Sequence, residues 1–157
     1  VLKRDVFEAS RILRDKTELF AVDYKSVLQR ASKQDLVYMD PPYQGVSKTR
    51  DPRYFNGLPS NDFINALDEF NSRQLSYIVS YDGRTGKKTF GDLLPSFLEL
   101  QHIEILVGRS SQSTLLGRDD HTYESLYISP ALQQRLKQSG VYIEKQAATP
   151  KQMEMAL

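Results

Sequence analysis

Cysteine is absent from the 157 residues. Its absence excludes a disulfide scaffold, zinc held by thiolates and thiol catalysis. Histidine occurs only at His102 and His121. Neither has a partner at metal-ligand spacing, so no metal site is expected. Tryptophan is missing too, although nine Tyr and seven Phe hold the aromatic fraction at 10%. No apolar run approaches the roughly 18 residues of a membrane span. Charges are spread through residues 1–20, which does not fit a secretory leader. Neither sign of charge dominates, since 21 basic and 20 acidic side chains leave +1. Without a global basic footprint, any nucleic-acid contact must use local patches. What is present is 39% apolar and 26% charged, an ordinary globular balance in a length that fits one domain with its own core. The chain starts at Val1, inside a helical pattern, and is therefore expected to be a piece of something larger.

Hydrophobic spacing organises the chain. Val6, Phe7, Ala9, Ile12 and Leu13 recur at roughly helical intervals over residues 3–14. Leu19-Phe20-Ala21-Val22 reads as a buried strand, and Asp23 can cap a helix over residues 24–31. Leu36-Val37-Tyr38-Met39 reads as a second buried strand, stopped by Pro41-Pro42, which cannot donate to a ladder. Residues 44–60 are loop-like. A helix from Ser60 or Asn61 to about Phe70 presents Phe63, Ile64, Leu67 and Phe70 on one face. Leu75–Tyr81 is a third strand, and residues 82–88 form a turn with excess positive charge. A short helix over residues 92–98 is expected before strand Ile103–Val107. Residues 108–121 are a Ser- and Arg-rich loop. Tyr123–Ile128 alternates and pairs back as a hairpin, and a helix over residues 131–137 follows. The order predicts an α/β fold with a mostly parallel sheet and an antiparallel hairpin at one edge. Ligands of such sheets bind at the carboxyl ends of the strands, where the loops at 40–60 and 82–88 lie.

Asp40-Pro41-Pro42-Tyr43 directly follows the second strand. In that position it resembles the catalytic motif of S-adenosyl-L-methionine-dependent amino methyltransferases, above all the Dam-like DNA adenine methyltransferases (D12 class, alpha group). The resemblance implies a Rossmann-like methyltransferase sheet. It also implies methyl transfer to the exocyclic amino group of an adenine flipped out of double-stranded DNA, in a cytoplasmic protein of prokaryotic or phage type. The Asp40 carboxylate and the Pro41 carbonyl would each accept one amino hydrogen, which aims the nitrogen lone pair at the methylsulfonium. Two prolines pre-set the turn. Tyr43 offers a face for the flipped base, a contact worth roughly 1–3 kcal/mol by analogy with single-strand binders.

Further residues follow from the same resemblance. Phe20, Asp23 and Tyr24, with Asp40, are implied in cofactor binding, Asp23 accepting from the cofactor's adenine; a plain helix cap explains Asp23 equally. Tyr81 and Asp82, in Ser80-Tyr81-Asp82-Gly83, border the implied base pocket, or form an ordinary glycine turn. Arg109, Ser110, Ser111 and Arg118 are implied DNA contacts, their donors suiting phosphate; a solvated hairpin tip is the other reading. Lys48, Arg53 and Tyr54, with Arg50, are a basic and aromatic cluster that fits DNA or a plain surface loop.

One family feature is missing. No Phe-x-Gly-x-Gly cofactor loop occurs in the sequence. The resemblance spans about residues 18–130, the carboxy-terminal catalytic half. Residues 1–143 are therefore expected to be that half, without the cofactor loop and the target-recognition domain, and residues 144–157 a polar tail. Its implied partners are double-stranded DNA and an amino-terminal half or subunit carrying the cofactor loop, as in a restriction–modification enzyme. RNA or protein amino methyl transfer, or a non-catalytic DNA-binding subunit, are the competing readings. A P-loop is excluded, because no Gly-rich loop ends in Gly-Lys-Ser/Thr.

Overall fold

The computed structural model describes residues 2–42, 60–109 and 120–143. Contacts divide the chain into two units, Val1–Arg30 and Ala31–Leu157.

The first unit holds α1 (Leu2–Leu13) and α2 (Tyr24–Leu28). The predicted amphipathic helix forms as α1, with a Glu8–Arg11 ion pair at 3.0 Å one turn apart. None of its residues is buried, so its apolar stripe lies open. The run Leu19–Val22 forms no strand, contrary to expectation. Leu19 is 92% exposed, and Phe20 and Val22 are also open. A strand exists only where its backbone groups find a ladder partner, and no described strand pairs with this segment. α2 is shorter than the sequence implied. The predicted cap is present: the Asp23 side chain accepts from Lys25 N at 2.8 Å.

The second unit is a mixed sheet. Its strands are β1 (Leu36–Met39), β2 (Ser76–Thr85), β3 (Lys88–Thr89), β4 (Gln101–Arg109) and β5 (His121–Ile128), in the order β1-β2-β5-β4 with β3 on the end of β2. β1 and β2 are parallel, with Met39 level with Val79. The pairings β2–β3, β2–β5 and β4–β5 are antiparallel. The edge hairpin is thus as predicted, but a mostly parallel sheet is not what these strands make. The expected strand at residues 19–22 adds no parallel neighbour, and the long β2 commits its far half to β5 and β3.

α3 (Ser60–Ser72) buries Phe63, Ala66, Leu67 and Phe70, the i, i+3, i+4, i+7 stripe of a core helix. The stripe faces Tyr77, Val79 and Tyr81 on alternate positions of β2. Phe63 meets Tyr81 with ring centroids 5.5 Å apart, and Phe70 meets Tyr77 edge-on at 6.2 Å. The Tyr77 hydroxyl donates to Asn71 Oδ1 at 2.9 Å, and burial pushes its pKa up. Ser76, on the other face of β2, accepts from Arg135 at 2.9 Å. That arginine lies on α4 (Pro130–Gln138), so α3 and α4 cover opposite faces at this end. Ser129 caps α4 and ties it to β2. Its Oγ accepts from Tyr77 N at 2.9 Å and donates to Leu75 O at 3.1 Å. Where a helix was expected at residues 92–98, Pro95 restricts the turn to a 3-10 segment, Ser96–Leu98.

β1 also departs from expectation. Met39 is buried, but Leu36 and Tyr38 are 59% and 62% exposed. One face of this strand is open, as is one edge, since β1 pairs only with β2 among the described residues.

Candidate functional site

β1 ends at Met39, and Asp40-Pro41-Pro42 leave the sheet there. Because Met39 pairs with Val79, Asp40 departs at the level of Ser80. β2 continues past that point. Between Ser80 and Gly83 its register against β5 shifts, so that Tyr81 and Asp82 together fill the place opposite Ser125. This is a β-bulge, a device that bends a strand and re-aims its side chains. Asp82 adopts φ 56, the left-handed region, which costs a non-glycine residue about 1 kcal/mol or more. Tyr81 and Asp82 are 3% and 5% exposed. The bulge thus sits beside the end of the motif strand, with both sequence-predicted residues packed inward.

Gly83 completes the bulge. A Cβ there would stand 2.2 Å from Tyr123 O and 3.2 Å from Glu124 Cα. Only glycine lets β2 and β5 approach so closely. The sequence suggested a turn at this glycine; in the structure the strand runs through it to Thr85.

The Asp40 carboxylate is exposed and Pro41 is half-buried. No described residue hydrogen-bonds the Asp40 side chain. The carboxylate and the following carbonyl are therefore two acceptors placed in succession, on a backbone that Pro41 and Pro42 stiffen. Phe63 and Tyr77 fix the core beneath, and Tyr127, level with Val79 on β5, stacks on His102 at 4.7 Å. Burial raises the Tyr127 pKa and lowers that of His102.

In the first unit, Asp23 spends one carboxylate oxygen on the α2 cap. Phe20 is half exposed, with the Arg30 guanidinium over its ring at 4.9 Å. Tyr24 is half-buried. Tyr43, Lys48, Arg53, Tyr54, Ser110, Ser111 and Arg118 lie outside the described residues. Arg109 ends β4 opposite His121, and its side chain is outside them as well.

Sequence reasoning missed a brace beyond the bulge. Arg84 reaches across β5 and donates to both Glu104 oxygens, from Nε at 2.6 Å and from Nη2 at 3.0 Å. Its guanidinium lies 3.8 Å from the centre of the Tyr123 ring. A third donor meets Gly86 O at 3.0 Å. The hydrogen bonds from Arg84 hold the Glu104 carboxyl below its ordinary pKa. Three residues on three strands give no common periodicity, so nothing in the sequence announced them.

No curated protein and no solved structure matches the chain significantly. The family model for D12 class N6 adenine-specific DNA methyltransferases matches residues 3–106. That stretch takes in Asp40, the β2 bulge and the Arg84–Glu104 brace, and it is about two thirds of the chain. The chain belongs to the D12 class of N6 adenine-specific DNA methyltransferases.

Proposed function

We propose that this chain is the catalytic half of an S-adenosyl-L-methionine-dependent DNA adenine methyltransferase, acting on a flipped adenine with Asp40 and Pro41 as its amino-group acceptors. One observation carries this reading: an exposed carboxylate, free of described partners, leaves β1 beside a strained bulge and is followed at once by a stiffened carbonyl. The adenine amino group has two hydrogens and a lone pair delocalised into its ring. Asp40 accepts one hydrogen and the Pro41 carbonyl the other. With both held, the nitrogen is oriented and its lone pair directed out of the ring plane. Neither acceptor forms a covalent bond. Tyr43 gives the base a stacking face, and the inward-packed Tyr81 and Asp82 form the wall beside it. The cofactor, when bound, supplies the methyl group. Phe20 flanks its adenine, and Asp23 accepts from that adenine's amino hydrogen through the oxygen not used in the cap.

The reading includes a partner. The sequence lacks a Phe-x-Gly-x-Gly loop, and Leu36 and Tyr38 lie open on β1. An amino-terminal half or subunit that supplies the loop accounts for both. The DNA contacts of Lys48, Arg53, Tyr54, Arg109, Ser110, Ser111 and Arg118 belong to the same proposal.

The experiment is a methyl-transfer assay on duplex DNA with the full chain, alone and mixed with an amino-terminal half carrying that loop. The mixture is expected to methylate adenine, and the chain alone to do so weakly. Asp40→Ala should abolish the restored activity. Retained activity in that variant removes the catalytic assignment, and vigorous methylation by the chain alone removes the partner. Transfer to RNA or protein in preference to DNA overturns the substrate.

A further inference from the structure

β1 and β2 run in the same direction, but β2 continues from Val79, level with the end of β1, to Thr85. Asp40 is level with Ser80, so at about 3.3 Å per residue, less the bulge, that extension reaches roughly 13–16 Å beyond Asp40. It is an arm of four strands, because Arg84 of β2 pairs with Tyr123 of β5 and Thr89 of β3, and β4 continues alongside β5. Its tip is the turn Gly86-Lys87 and the first residue of β3, Lys88. Both lysines are exposed.

The tip is built rigidly. Gly86 takes φ +57, a conformation that favours glycine, and a Cβ there would meet Asp120 Oδ1 at 2.7 Å. Gly86 N donates to His121 O at 3.0 Å, and Phe90 N donates to Gly83 O at 3.0 Å. Arg84 braces the turn from below through Gly86 O. Its charge is answered by Glu104, and the Asp120 carboxylate stands against Gly86. Among the described residues the exposed cations at the tip are Lys87 and Lys88, the latter 5.6 Å from the centre of the Phe90 ring. An open cleft beside them is lined by Thr85, Asp120, His121 and Tyr123. In a chain of net charge +1, two exposed lysines fixed at the end of a stiff arm form a local cationic site.

We propose that Lys87 and Lys88 bind phosphates of the duplex backbone about four to five base pairs from the target adenine, and that the arm is a ruler setting that distance. The inference rests on the reading of Asp40 as the target-base acceptor. Duplex DNA rises about 3.4 Å per base pair, so a reach of roughly 13–16 Å spans just under half a helical turn. Lysine suits the task as a point charge that contacts phosphate without reading sequence.

The test is the salt dependence of duplex binding by the full chain, measured by fluorescence anisotropy with a labelled DNA duplex. Each phosphate contact contributes about 0.9 to the slope of log affinity against log salt. Lys87→Ala/Lys88→Ala should therefore flatten the slope by about 1.8. From about 50 to about 200 mM salt, the wild-type chain should lose about twelvefold more affinity than the variant. The charge-matched control is Lys33→Ala/Lys137→Ala. Those exposed lysines lie at the other end of the sheet, where Arg135 of α4 joins Lys33 O and Asp35 O, and their slope should match wild type. An unchanged slope in the arm variant overturns the proposal. So does an equal flattening in the control, an effect confined to single strands or RNA, or no duplex binding at low salt. Failure of the Asp40 reading shows separately, as methyl transfer that survives Asp40→Ala.

Discussion

Replacing Gly83 by alanine tests whether the bulge beside Asp40 is as tightly made as its geometry states. The added Cβ would lie 2.2 Å from Tyr123 O, a backbone atom in the middle of β5, and 3.2 Å from Glu124 Cα. A carbon–oxygen contact needs about 1 Å more, and no side chain can rotate away to provide it. β5 would have to separate from β2 at the Gly83–Glu124 pair. Overpacking of this kind costs about 1–3 kcal/mol, and one or two weakened ladder bonds add about 1 kcal/mol each. The sum is about 2–5 kcal/mol, a large part of the stability of a domain this size. At a urea m-value of about 2 kcal/mol/M, the unfolding midpoint falls by about 1–2.5 M at constant slope. Gly140→Ala is the control. Gly140 has φ +73 with nothing within 4 Å of an added Cβ, so only left-handed strain of about 1 kcal/mol is added. Urea unfolding followed by circular dichroism reads both. A Gly83→Ala loss no greater than that of Gly140→Ala would refute the close approach. The bulge would then have slack, and the inward placement of Tyr81 and Asp82 would need another cause.

Ser129→Ala removes an Oγ that serves Tyr77 N, Leu75 O and Leu132 N in a fully buried position. The cost is about 2 kcal/mol from a lost cap and an orphaned donor, and urea unfolding within about 0.5 kcal/mol of wild type would contradict it. His102 is held below its ordinary pKa by burial, against a smaller upward pull from Glu104. The unfolded chain therefore takes up a proton first as pH falls, and stability declines from the unfolded pKa downward. Thermal unfolding from about pH 7.5 to about pH 5.5 should fall more steeply in wild type than in His102→Phe, and parallel profiles would deny this role to His102. Leu36→Lys with Tyr38→Lys should leave the unfolding free energy of the chain alone within about 0.5 kcal/mol of wild type, because both side chains are exposed. The same pair should abolish rescue by the amino-terminal half; rescue at wild-type level would mean that half does not cover this face.

Much of the fold was legible because its determinants are local. The stripe Phe63, Leu67, Phe70 announces α3 through the helical period alone, with Ala66 rather than Ile64 completing the buried set. Asp23 caps its helix through its own side chain, and alternation along Tyr123–Ile128 places a hairpin. Asp40-Pro41-Pro42 was visible because the prolines end a strand without reference to anything distant. What was not legible depends on pairing. Asp82-Gly83 reads as a turn until β5 is known to pass against it; Gly83 then serves close approach instead of reversal. Arg84, Glu104 and Tyr123 come together only once three strands have a register. The errors of burial have a different origin. Leu19–Val22 and the outer face of β1 are apolar and were expected to be covered, and both lie open, as does the stripe of α1. Exposed apolar surface costs about 25 cal/mol per Å² relative to burial. Hydrophobic spacing reports which residues gain by leaving water, but not which surface receives them. The open face of β1 adjoins the strand end that carries Asp40, so a surface that covered Leu36 and Tyr38 would also stand next to Asp40 and the two prolines. On the proposed reading, an amino-terminal half that supplies the cofactor loop would cover this face.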